Sequence, residues 1–81
     1  MKTIKILGFH DKFAVNRREK LDAAARALSD RTGFSIVPTD DGFRVAGQWR
    51  GKFLSEDQFA ERIVRDLQLR AGLLFDATIE G

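Results

Sequence analysis

The stretch FRVAGQWRGKF, residues 43 to 53, alternates apolar and polar side chains along nearly its whole length. A period of two marks a strand with one buried and one wet face, and a one-residue slip would exchange the faces. Phe43, Val45, Gly47, Trp49, Gly51 and Phe53 fall on one side, and Arg44, Ala46, Gln48, Arg50 and Lys52 on the other. The run is long for one strand. Gly47 is therefore read as a bulge or bend. A hairpin turn at Ala46-Gly47 is the alternative, although alanine suits the positive φ of tight hairpins poorly.

Such a strand needs partners and a cover, and the rest of the chain supplies them. KTIKILGF at residues 2 to 9 reads as a strand, with Ile4 and Ile6 on one face and Thr3, Lys5, Leu7 and Phe9 on the other. Asn16 followed by Glu19 resembles a capping box, opening a helix from about Arg17 to Arg31. Leu21, Ala24, Ala25 and Leu28 form its apolar stripe, and Gly33 stops it. FSIVP at 34 to 38 is a second strand, and Thr39-Asp40-Asp41-Gly42 a turn in which glycine is expected to supply positive φ. Ser55 with Gln58 opens a second helix that runs to about Ala71, burying Phe59, Ala60, Ile63, Val64 and Leu67. Gly72 ends it, and LLFDATI at 73 to 79 is a last strand, with Phe75, Ala77 and Ile79 on one face.

The order β-α-β-β-α-β in one domain spanning residues 1–81 predicts an α+β ferredoxin-like sandwich, with two helices on one face of a four-stranded antiparallel sheet. The first and third strands are then central. Phe43, Val45, Trp49 and Phe53 point to the helices with Ile4, Ile6 and Phe75. The open face carries Lys5, Leu7, Phe9, Arg44, Gln48, Arg50 and Lys52.

Composition narrows the function. The net charge is +2, from 14 Lys plus Arg against 12 Asp plus Glu, which is mild for a dedicated nucleic-acid binder. The cations cluster, however: Lys2, Lys5, Lys12, Arg17, Arg18 and Lys20 near the start, and Arg44, Arg50 and Lys52 in the long strand. No cysteine is present, so disulfides and cysteine-based zinc sites are excluded, and a reducing, cytoplasmic setting is expected, a cysteine-free secreted domain being the alternative. No apolar run approaches the roughly 20 residues of a membrane span.

Catalytic signatures fail on spacing. Gly47 to Gly51-Lys52 has three intervening residues where a phosphate loop has four, and Phe53 stands where a Ser or Thr would bind magnesium. Arg50-Gly51-Lys52-Phe53 is only a fragment of the aromatic core by which RNA-recognition sheets stack bases. His10 with Asp11 is an adjacent loop pair with no nucleophile. Asp40 and Asp41 offer too few oxygens for calcium. Gly33-Phe34 through Thr39-Asp40-Asp41-Gly42 and Val45, following Gly8 and an alanine-bearing helix, resembles the acylphosphatase layout. That resemblance implies an anion-cradling loop after the first strand, with Arg17 or Arg18 as its arginine, and an asparagine on the second strand. Here Ser35 and Val37 occupy that strand region, and neither arginine sits in a glycine-rich loop. No enzyme activity, cofactor or metal is expected.

One α/β domain, free of cysteine, rich in charge and without a catalytic constellation, resembles in kind the small orphan proteins of phages and mobile elements, anti-CRISPR inhibitors among them. The resemblance covers the whole chain and rests on no specific motif. It implies a non-enzymatic inhibitor that binds a host defence complex. The expected partner-binding residues are Lys5, Arg44, Arg50 and Lys52 on the open sheet face, with Arg17 and Arg18 at its corner. Binding to the phosphate backbone of nucleic acid is the alternative. An unpaired edge strand would permit a homodimer in place of a monomer.

Overall fold

The computed structural model describes residues 2–47 and 55–81. Trp49, Gly51 and Phe53, expected on the inner face, and Gln48, Arg50 and Lys52, expected on the outer face, lie outside the described residues. The elements are β1 (Lys2–Phe9), α1 (Arg17–Thr32), β2 (Ser35–Thr39), β3 (Gly42–Ala46), α2 (Glu56–Ala71) and β4 (Phe75–Glu80). The strands form one antiparallel sheet in the order β2-β3-β1-β4, which puts β1 and β3 at its centre, as the sequence predicts. The architecture is α+β, and its order of elements fits a ferredoxin-like arrangement.

The core sits between the sheet and both helices. Ile4 and Phe43 lie opposite one another on the central strands and are fully buried, with Val45, Ile36 and Phe75 beside them. Leu21, Ala24, Ala25 and Leu28 of α1 and Ala60, Ile63 and Leu67 of α2 are buried, as their helical spacing predicts; Phe59 and Val64 are half-buried. The ring of Phe59 packs on that of Phe34 at 4.7 Å. Each large side chain buried here contributes on the order of 2–3 kcal/mol.

The helix ends divide into one that follows its sequence signature and one that does not. Ser55 Oγ accepts the Gln58 N–H at 3.1 Å, and Gln58 Oε1 accepts the Ser55 N–H at 2.9 Å, so the capping box is complete. Asn16 makes no such bond. It takes the left-handed conformation, φ 55° and ψ 36°, whereas a capping side chain needs extended backbone to reach the first-turn amides. Both helices stop at left-handed glycines, Gly33 and Gly72.

Three further expectations meet the structure at single residues, and the second of them, the bend at Gly47, holds. First, Gly42 has no positive φ. It is the first residue of β3, paired with Lys5, and a Cβ there would overlap the Ile4 carbonyl oxygen and lie 2.8 Å from its carbon. Glycine is required for close approach of two backbones, not for the turn. Second, β3 stops at Ala46. Gly47 has φ 144°, and a Cβ on it would meet the Phe34 ring at 2.6 Å, so it is a bend. Third, Phe9 is not on the open face. The pairing of β1 with β4 slips between Ile6↔Ala77 and Gly8↔Asp76, so Leu7 and Gly8 together oppose one residue. A bulge of this kind reverses the alternation. Phe9 therefore turns to the helix side and meets Phe75 edge-on at 5.8 Å, while Leu7 remains 61% exposed.

The bulge makes two apolar neighbours energetically unequal. Phe9→Ala is expected to cost about 2–3 kcal/mol, less than a fully buried ring because Phe9 is half-buried. Leu7→Ala is expected to fall within about 0.5 kcal/mol of the parent chain. Urea denaturation of the two variants measures both; equal costs would place both side chains on one face.

Candidate functional site

Two surfaces carry the residues singled out from the sequence. On the uncovered face of the sheet, Lys5 and Arg44 are exposed on the central strands. Arg44 lies opposite Thr3 and Val37, and Lys5 opposite Gly42 and Thr78, so the two cations are diagonal neighbours within reach of one another's field. Among the described residues neither forms an ion pair. Val37 is 48% exposed beside them. The acids of this face, Asp76 and Glu80, lie on the edge strand β4. The open face is thus basic at its centre and acidic along one margin. With Phe9 turned inward, none of its described strand positions carries an aromatic ring. Arg50 and Lys52, the other two cations assigned to this face, lie outside the described residues.

Arg17 and Arg18 occupy a different place. They open α1 and line a hollow with Ile6, Phe9, Leu21, Asp40 and Asp41, at the end of the sheet where the β2–β3 turn meets the β1–α1 loop. Both stack on rings of the helix side: the Arg17 guanidinium 5.0 Å from the Phe9 centroid, that of Arg18 5.6 Å from Phe43. Arg18 Nε also lies 3.2 Å from Asp22 Oδ1, at ion-pair distance but without hydrogen-bond alignment.

Arg17 is a structural clamp. Its Nη2 donates to the carbonyls of Asp11 at 3.3 Å and Lys12 at 3.0 Å. Asp11 Oδ1 in turn accepts the Phe13 N–H at 2.9 Å. These bonds fix the loop between β1 and α1, and that loop displays Phe13, 92% exposed, and Val15, 66% exposed. Sequence reasoning passed over Phe13 because a lone aromatic in a loop has no periodic pattern. The signal available was an apolar pair, Phe13 and Val15, in a segment too short to be buried as a strand.

Other candidate chemistry resolves into structure. His10, just past the end of β1, pairs with Asp76 of β4 rather than with Asp11, Nε2 to Oδ1 at 2.9 Å. Asp41 belongs to the hairpin: its carbonyl accepts the Ile6 N–H at 2.7 Å. Among the described residues no cluster of His, Asp and Glu is arranged to hold a metal ion, and no helix is long and apolar enough to cross a membrane. Lys2 binds Asp57 at 2.8 Å, joining β1 to the start of α2. The hydrogen bond to Asp57 holds the lysine above its ordinary range; partial burial opposes this, and the charges of Asp57 and Glu56 add to it.

No protein-family model, curated protein or solved structure matches the chain.

The clamp can be tested directly. Arg17→Leu keeps the apolar stem but removes the donors, and is expected to speed amide exchange across residues 11 to 15 by about tenfold, the loss of charge-assisted bonds. Exchange in β1 and β3 should stay within about twofold. Uniform acceleration would assign Arg17 to global stability instead.

Proposed function

We propose that this chain is a non-enzymatic protein-binding module with a ferredoxin-like fold, which anchors on its partner through Phe13 and is drawn to it by its cations. The observation that carries the reading is Phe13 itself, 92% exposed on a loop that Arg17 and Asp11 hold in place. An exposed ring gains nothing for folding, whereas a ring presented on a fixed loop loses little entropy when it enters a pocket. Lys5 and Arg44, without an ion-pair partner among the described residues, raise the association rate with an acidic surface. The partner class is therefore an acidic protein surface bearing an apolar pocket. A mobile-element inhibitor of the anti-CRISPR kind, blocking a nucleic-acid-handling defence complex, would work in this way. Phosphate-backbone binding by the same cations gains no stacking ring from the described open face, which favours a protein partner.

Two variants separate anchor from steering. Phe13→Ala is expected to weaken capture of a protein partner from nuclease-treated native-host lysate by more than about tenfold, with stability within about 0.5 kcal/mol of the parent. Lys5→Glu with Arg44→Glu is expected to slow association and flatten its salt dependence while leaving dissociation nearly unchanged. Undiminished capture by both variants overturns the reading. Binding to DNA or RNA at low salt that falls steeply as salt rises would replace it with the phosphate reading.

A further inference from the structure

The two edges of the sheet are built differently. The hairpin of β2 and β3 closes with Thr39 opposite Gly42, so Ser35, Val37 and Thr39 turn their backbone groups toward β3, and Ile36 and Pro38 turn theirs outward. Neither offers a donor. The Ile36 N–H is held by Ser29 Oγ at 3.0 Å, and proline has none. That edge offers an added strand carbonyl acceptors but no backbone donor.

The β4 edge is open. The Ile6 N–H donates to Asp41 on the β3 side, which sets the alternation of β1: Lys2, Ile4 and Ile6 face β3, while Thr3 and Lys5 face β4, opposite Glu80 and Thr78. Ala77 and Ile79 are left with N–H and C=O directed outward, and among the described residues no loop or side-chain group bonds to them. The open stretch is bounded at Phe75, whose carbonyl accepts Gln68 Nε2 at 2.8 Å. Beside it runs a groove lined by Ala77 and Ile79 with Asp57, Glu61 and Val64 of α2, apolar at its floor and acidic on the helix side. On the other face of the same strand Asp76, Thr78 and Glu80 are exposed.

We infer that β4 accepts an extended, basic segment of a partner protein as a fifth strand. Its main chain would bond the outward groups of Ala77 and Ile79. Its apolar side chains would enter the groove over Val64, and Lys or Arg at alternate positions would meet Asp76 and Glu80. Charge decides the occupant. Asp57 is answered by Lys2 and Asp76 by His10, but Glu61 and Glu80 have no ion-pair partner among the described residues. A second copy pairing through β4 would gather Glu61, Asp76 and Glu80 of both chains along one seam, and like charges across a strand pair are unfavourable. A basic strand neutralises the same groups. This surface is separate from the Phe13 loop, so either reading can fail alone.

The probe is a synthetic peptide of sequence Lys-Val-Lys-Thr-Lys-Val, titrated into the full chain and followed by amide exchange in solution NMR. Slowed exchange at the Ala77 and Ile79 amides, with the β2 amides unchanged, is expected. The same peptide with glutamate for lysine should bind about fivefold more weakly, the upper end of what one exposed charge pair supplies. Ala77→Pro removes an outward N–H without breaking the ladder to β1, and should abolish the protection at Ile79; Phe13→Ala should leave it intact. Unprotected Ala77 and Ile79 at saturating peptide, or equal binding of the acidic peptide, overturns the inference. A dimer in sedimentation that Ala77→Pro dissolves would give the edge to a second copy instead.

Discussion

Ile4 and Phe43 meet across the two central strands with no exposed surface on either, and the remaining architecture is arranged around that contact. It exists because Gly42, immediately before Phe43, has no side chain to hold the backbones apart at the Ile4 carbonyl. With β1 and β3 joined there, the inner faces of all four strands are set. Leu21 and Leu28 from one helix and Ile63 and Leu67 from the other close over a single patch. Three buried alanines, Ala24, Ala25 and Ala60, let the helices sit close enough to do so. The buried residues described form one cluster, so disturbing the central pair would be felt throughout it.

The features legible in the sequence are those governed by near neighbours. The stripes of α1 and α2, the Ser55–Gln58 box, and the outward placement of Lys5 and Arg44 all follow from spacings of two to seven residues. What escaped detection is decided by partners far along the chain. Gly42 sits in Asp-Asp-Gly and reads as a turn glycine; its reason is the carbonyl of Ile4 on another strand. Phe9 continues the alternation of β1 on paper, but Phe75 and the slip opposite Asp76 carry it to the other face. Asn16 has the right residue type for a cap, yet the incoming loop, tied by Arg17 to Asp11 and Lys12, delivers it in a conformation that cannot cap.

The same distinction applies to the candidate site. The sequence groups six cations, Lys5, Arg17, Arg18, Arg44, Arg50 and Lys52, as one basic surface. Lys5 and Arg44 do share a face, but Arg17 and Arg18 lie on the helix side, because α1 starts there and their stems pack on Phe9 and Phe43. Arg17 Nη2 then donates to two loop carbonyls, which ties the guanidinium to the loop. Its contribution is indirect: with Asp11 it bonds the loop that displays Phe13.

Charge is also segregated by position in the sheet. The central strands present lysine and arginine, while β4 and the first turns of α2 present acids. A formal charge near zero therefore conceals a polarised surface. An approaching partner experiences that surface region by region, because screening at physiological salt limits each charge to about 8 Å. Three strands away, the β2 edge has no outward donor, since Ser29 and Pro38 remove both. A small sheet with one edge lacking outward donors and the other, among the described residues, uncovered is asymmetric toward association, and the acids beside the β4 edge discourage its own copies from using it. That combination keeps the edge available to a strand of opposite charge while resisting self-assembly, which an evenly neutral edge would not do.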